Sequence, residues 1–251
     1  MELRERLLEV LASAWQFERD FIESATPEEQ TRSGSADNWT AKDIIAHVAE
    51  WNARLAQTLR EVGPDQEPPV YGEVDEENAA IFESYRSVAW LAIIDRLNRG
   101  HLELEEYVRT APRLALTDPV RNPQRNERPV WRDIASYCYM HPHLHVLDCY
   151  RMRGDLDKVR ALQEQSIREL LPLSDDPEWR GVLVYNQACY DALNGEKERA
   201  LKGVEEALAA RPDLIDWSQQ DSDLASLHKE PEFLALIERA RARSAQAGGS
   251  R

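Results

Sequence analysis

NWTAKDIIAHVAEWNARL, residues 38–55, reads as the start and inner face of one amphipathic helix. Ile44, Ile45, Val48, Trp51 and Leu55 recur at the three- and four-residue steps that align on one side of an α-helix. Thr40 and Asp43 stand at capping-box spacing, with Asp where Glu is the stronger partner. The helix is therefore predicted to start at Thr40 and to run to about Arg60. His47 falls inside its apolar set.

The same pattern extends in both directions. Leu3, Leu7, Leu8, Leu11, Trp15, Phe17 and Phe21 give a mostly one-sided stripe over about residues 2–24. A polar stretch with Gly34, Ser35, Asp37 and Asn38 ends it. After the second helix, VGPDQEPPVYG (residues 62–72) is rich in proline. At roughly 3.3 Å per extended residue it spans ~35 Å, the length of a helix, so it suits a crossover between parallel neighbours. Residues 75–86 read as helical, and Ser87 offers a fresh cap for a third long helix to about Thr110, through Trp90, Ile93, Ile94, Leu97, Leu102 and Tyr107. A loop with Pro112, Pro119, Pro123 and Pro129 follows, then a fourth helix over about Trp131–Arg153, stopped at Gly154. From Asp155 the helices shorten, at about 155–171, 177–194, 197–210 and 231–243. SAQAGGSR at the end reads as disordered. Val, Ile and Thr nowhere gather into alternating strands, so the chain is read as all-α. The expected domains are a bundle over 1–155, a helical segment over 156–245 and a disordered tail over 246–251.

The bulk properties narrow the function. The chain has 251 residues, 42% apolar and 31% charged, which suits a folded globular protein. Its apolar runs are far shorter than the roughly 20 residues of a membrane span. MELRERLLEVL lacks the apolar core of a secretory leader, and a cytoplasmic location is expected. A net charge of −15 works against nucleic acid and anionic lipid as partners. Cys138, Cys149 and Cys189 form no C-x-x-C pair; the odd, sparse count fits a reducing compartment.

The chemistry concentrates in YMHPHLHVLD, residues 139–148. His141 and His145, four apart, share one helix face about a turn from each other. His47 lies roughly 10 Å into its helix, and His145 roughly 12 Å from the matching end of an antiparallel fourth helix. The three can converge as ligands and leave a position open, the arrangement of a catalytic metal site. The same spacing also suits a chance pair on an amphipathic helix, with His47 a satisfied core residue. Pro142 reads either as a kink that positions the ligands or as a helix boundary. His143 is expected to point away from the pair, and His101 and His228 to be structural or exposed. Cys138 and Cys149 continue the His141–His145 stripe as small core residues or, less simply, as thiolate ligands. Glu50 and Asp148, one turn beyond His47 and His145, are weak candidates to orient an imidazole or to act as a base; solvated helix-face carboxylates are the plainer role.

Taken together, Trp39, His47 and Trp51 in residues 38–55 and the H-x-x-x-H of His141 and His145 resemble the DinB-like superfamily, and within it the ClbS/DfsB-like branch. The resemblance covers about residues 1–155. It implies an up-down-down-up four-helix bundle, a divalent metal held by His47, His141 and His145, and a homodimer. Relatives of that kind include thiol-dependent S-transferases, an isomerase and hydrolases of strained electrophiles. The commoner ending there is H-x-x-H-H, whereas this chain reads HPHLH. The tail resembles a tetratricopeptide (TPR) unit in Ala200, Val204, Ala207 and Pro212, with Gly195 in the turn between helices. A single repeat cannot bury its own face, so the tail is expected to pack on the bundle or on a second subunit.

The leading expectation is a metal-dependent enzyme, a thiol S-transferase or hydrolase acting on a small electrophile, with a low-molecular-weight thiol as cosubstrate. Zinc suits neutral imidazole best, with nickel, iron and manganese as alternatives. The rival is a non-catalytic helical scaffold that binds a protein partner through the TPR-like tail.

Overall fold

The computed structural model describes residues 2–35, 38–63, 66–124 and 126–248. Asp37 of the polar stretch, Pro64 and Asp65 of the proline-rich connection, and residues 249–251 of the tail lie outside the described residues. All regular structure among them is helical, apart from one isolated bridge between Ser35 and Asn38. The chain divides into two compact units, residues 1–159 and 160–251.

The first unit holds α1 (Leu3–Ser24), α2 (Pro27–Thr31), α3 (Ala41–Glu61), α4 (Val74–Tyr85), α5 (Trp90–Thr110), α6 (Arg113–Thr117), α7 (Val130–Ala135) and α8 (His141–Met152). A π-helical turn, Ser136–Met140, joins α7 to α8. Side-chain pairs give the helix directions. Arg4 donates to the carbonyls of Arg109 and Ala111 while Glu18 meets His101, so α1 and α5 are antiparallel. Arg96 pairs with Glu50 and Arg60 with Glu103, so α3 and α5 are parallel. Phe17 packs on Tyr139 and Phe21 on Tyr150, so α1 runs parallel to the α7–α8 helix. Trp51 faces Tyr137 while Trp39 faces His145, so α3 opposes that helix. The course is up-down-down-up. The proline-rich segment does not make the crossover alone, because α4 follows it before α5 begins.

Leu7, Leu11, Phe17 and Phe21 of α1 are buried with Ile44, Ile45, Val48 and Leu55 of α3. One expectation for the third long helix is corrected. Its cap is Ala89, not Ser87, because the chain is still turning at Tyr85–Val88, where the Val88 N–H meets the Tyr85 carbonyl. Its inner face is Ile93, Leu97, Leu104 and Val108, while Leu102 is 53% exposed. His101 takes the inner position instead. Its Nε2 lies 2.5 Å from Oε2 of Glu18, both residues are buried, and its ring stacks on Trp15 at 5.7 Å.

Helix α9 (Leu156–Leu170) begins in the first unit and ends in the second, where α10 (Pro177–Leu193) and α11 (Lys197–Ala210) pack as a hairpin and α12 (Ile215–Ser218) and α13 (Pro231–Gly248) follow. The core of the second unit gathers Ala188, Cys189, Ala200, Val204, Ala207, Phe233 and Ile237. The last helix runs to Gly248, past the end expected near residue 243, so the tail read as disordered begins inside a helix. Ala245 and Gln246 favour that state.

The Glu18–His101 pair spans α1 and α5 in the core. Removing one partner leaves the other buried without it. His101→Ala is expected to lower the unfolding free energy by on the order of 3 kcal/mol, read from urea denaturation. A change below about 0.5 kcal/mol, the scale of a neutral surface substitution, would show the pair to be irrelevant to the bundle.

Candidate metal centre

Two local devices set the ring positions. At the start of α3, Asp43 Oδ2 accepts from the Thr40 N–H (2.9 Å), the Thr40 hydroxyl (2.8 Å) and the Gly34 N–H (2.7 Å). Gly34 has to be glycine, because a Cβ there would stand 2.0 Å from the Asn38 carbonyl oxygen. This close turn sets Trp39 just before the Thr40 cap of α3, and its ring lies 4.6 Å from that of His47.

The second device is the π turn. Pro142 has no N–H, and in a regular helix its ring would collide with the carbonyl four residues back. The helix widens just before it, and the His141 N–H reaches the Ser136 carbonyl, five residues back. The chain then resumes as α8, so Pro142 is neither a boundary nor a break between His141 and His145. Ser136, Tyr137, His141 and His145 are thereby brought to one cavity. Beyond His145 the helix closes at Gly154, in the left-handed region at φ 75°, with the Asp155 N–H returning to the Tyr150 carbonyl.

His47, His141 and His145 meet through Nε2. The His47–His141 distance is 2.8 Å and the His145–His141 distance 3.0 Å. Each offers one nitrogen within 4.8 Å of the others. Burial, and then the charges of His141 and His145, push His47 down to about 2. Burial and His145 push His141 down to about 3. Burial also lowers His145, against a small opposing pull from Asp148. The rings are therefore neutral at pH 7. A neutral imidazole carries one hydrogen, so Nε2 of His141 can be donor or acceptor toward one neighbour but cannot satisfy both contacts. A cation among the three lone pairs resolves this. Tetrahedral bonds of about 2.0–2.1 Å hold such nitrogens about 3.3 Å apart, close to the spacing here, so the residues fit the ion.

The other sequence candidates fall elsewhere. His143 is buried on the opposite side, stacked on Tyr139 at 5.7 Å and edge-on to Phe17 at 5.6 Å. Glu50 does not orient a histidine: its carboxylate accepts from Arg54 (3.1 Å), Tyr85 (2.8 Å) and Arg96 (3.3 Å), tying α3 to α4 and α5. Asp148 is exposed and paired with Arg151 at 2.6 Å, outside the cavity lining. Nδ1 of His47 and of His141 is buried and meets no carboxylate, and the His47 ring is packed by Trp39 and Trp51. Burial raises the Cys138 thiol and pushes Cys149 up to about 12, and neither joins the histidine group. His228 lies 3.2 Å from the Ser218 carbonyl.

The cavity holds about 550 Å³ and is also lined by Trp51, Val74, Asn78 and Arg128. Tyr137, four residues before His141, was legible as a neighbour on that face. Asn78, Val74 and Arg128 come from α4 and the 118–129 loop, where no periodicity points to them. A second cluster in the other unit, Cys189, Asp221 and Asp223, also has donor atoms within 4.8 Å of one another. There, however, Asp221 already accepts from Tyr185 (2.8 Å), Trp217 (3.0 Å) and the Asp223 N–H (3.0 Å), and burial keeps the Cys189 thiol protonated. That cluster is a satisfied knot.

The lowered histidines fix a pH dependence. Unfolded imidazoles titrate near pH 6.5, the folded ones far lower. Below about 6.5 the unfolded chain binds more protons, so stability falls as pH falls, by up to about 1.4 kcal/mol per pH unit per histidine. Chelator-treated wild type is expected to lose stability between about pH 6.5 and 5, and His47→Gln to lose it less steeply by about one proton's share. Equal slopes would contradict neutral, buried rings.

A comparison with curated proteins finds no match, and a comparison with solved structures finds none. The sequence model described as the DinB superfamily matches residues 2–149. That stretch contains all three converging histidines and every residue lining their cavity, and it makes up more than half of the chain. This chain belongs to the DinB superfamily.

Proposed function

We propose that this protein is a metal-dependent enzyme of the ClbS/DfsB-like branch, a thiol S-transferase or hydrolase that acts on a small electrophile. The observation that carries the reading is the contact of three neutral imidazole nitrogens at 2.8 and 3.0 Å in the wall of a cavity. His47, His141 and His145 are the proposed ligands, and zinc the proposed ion, with nickel, iron and manganese as alternatives. Bound there, the ion would supply Lewis acidity at its open position.

The chain's own residues bind and orient. Trp39 packs against His47 at 4.6 Å and His145 at 6.2 Å, which limits how far either ring can turn. Trp51 offers an apolar wall and is held by its indole N–H to Asn78 Oδ1 at 3.1 Å. The Tyr137 hydroxyl, raised by burial, stays protonated and can donate to a substrate oxygen. A cavity of this size takes a small organic molecule. We place a low-molecular-weight thiol among its substrates by resemblance to the branch. A homodimer, a cytoplasmic location and the absence of nucleic-acid partners belong to the same proposal. No described helix is long and apolar enough to cross a membrane. We further propose that the α10–α11 hairpin is TPR-like and serves as a protein-docking element. Its support is the buried small-residue face of Ala200, Val204 and Ala207.

Untagged protein is expected to take up about one divalent ion per chain at micromolar concentration. His47→Ala, His141→Ala and His145→Ala should each lose most of it, while His143→Ala keeps nearly all, because that ring faces Phe17 and Tyr139. Elemental analysis under identical loading decides. No uptake by the wild type, or loss in the His143 variant with retention in the His141 variant, would defeat the assignment.

A further inference from the structure

The cavity beside the histidines has a charge pattern opposite to that of the chain. The protein carries 46 acidic against 31 basic side chains, yet among the described residues no carboxylate lines this cavity. With the imidazoles neutral, Arg128 is the one formally charged lining residue among the described residues. Other arginines near the site are already taken. Arg54 pairs with Glu50 at 3.1 Å and Glu77 at 2.7 Å, and Arg96 pairs with Glu50 at 3.3 Å. The Arg128 guanidinium forms no ion pair among the described residues.

Its position is built, not incidental. The Arg128 N–H donates to Asn126 Oδ1 at 3.1 Å, and its carbonyl accepts from Asn122 Nδ2 at 2.7 Å. Both asparagines are anchored by the buried carboxylate of Asp133, at 2.6 Å from Asn122 and 2.9 Å from Asn126. Glu127, just before, sits in the left-handed region at φ 61°, an unfavoured state for a residue with a side chain. The loop accepts that conformation and presents at the cavity a guanidinium that acts on the charge of Asp133 but forms no ion pair with it.

We propose that Arg128 is the anion-recognition residue of this site, and that the substrate is a small molecule with a carboxylate for Arg128 and an apolar body for Trp39, Trp51 and Tyr137. A guanidinium fork matches a carboxylate through two parallel hydrogen bonds, and the aromatic walls suit a flat or hydrocarbon body. Only the chemistry at the histidine end rests on the metal-enzyme reading. The charge selection belongs to Arg128 itself.

Three probes of one shape separate these parts: phenylacetate, its neutral isostere phenylacetamide, and cationic 2-phenylethylamine. Each is titrated calorimetrically into chelator-treated and zinc-loaded protein, as wild type, Arg128→Ala and Arg128→Lys. In chelator-treated wild type, phenylacetate is expected to bind at least about tenfold more tightly than the amide, a difference of roughly 1.4 kcal/mol, and the amine more weakly than either. Arg128→Ala should erase the preference and leave amide binding in place. Arg128→Lys should keep part of it, as a point charge without the fork. Equal binding of acid and amide by the chelator-treated wild type would overturn the proposal. So would its failure to bind phenylacetate at millimolar concentration, or a preference that survives Arg128→Ala. A failure of the metal reading would appear instead as absent zinc uptake, and the chelator-treated titrations would still decide the role of Arg128.

Discussion

Three imidazoles driven together out of water, with Nε2 of His141 at 2.8 Å from that of His47 and 3.0 Å from that of His145, are the constraint around which the first unit is organised. Such a contact is unfavourable for neutral rings and worse for charged ones. It persists only where the surrounding packing over-determines it. The Thr40–Asp43–Gly34 knot fixes where α3 begins and hence the depth of His47. The π turn fixes where α8 begins and hence the facing of His141 and His145. Glu50, bonded to Arg54, Tyr85 and Arg96, holds α3 against α4 and α5. None of these groups needs to touch a substrate to matter, because each removes a freedom that the rings would use to part.

The electrostatics divide in the same way. The chain has a net charge of −15, while the cavity wall is largely aromatic, carries Arg128 and, among the described residues, has no carboxylate. Asp133 lies behind the wall, bonded to Asn122 and Asn126, and its charge reaches Tyr137 and Arg128 of the lining. A site of this kind favours an anion or a lone-pair donor near the histidines, and the distant negative field is screened within about a Debye length, ~8–10 Å.

Much of this was legible in the sequence, for physical reasons. Helix periodicity carries the pair His141–His145, and the cap spacing at Thr40 places His47 in register. What Pro142 does was not legible, because ending a helix and widening it are both answers to one steric clash, and neighbouring packing chooses between them. Which residues of the third long helix face inward was not legible, since a one-dimensional stripe does not say which helix lies opposite; His101 is inward because Glu18 waits 83 residues away. Glu50 and Asp148 had the right spacing from the histidines but found arginines first. Arg128 lies in an aperiodic loop, where only the asparagine network gives its position meaning.

The central claim is that the three nitrogens converge to hold one ion. Crystals of zinc-loaded protein measured on both sides of the zinc absorption edge test it most directly. The account predicts a single strong anomalous peak per chain, bonded to Nε2 of His47, His141 and His145, with His143 still against Phe17. No peak among the three rings, or a peak bonded to His143, to a cysteine or to the Asp221 cluster in its place, would contradict it.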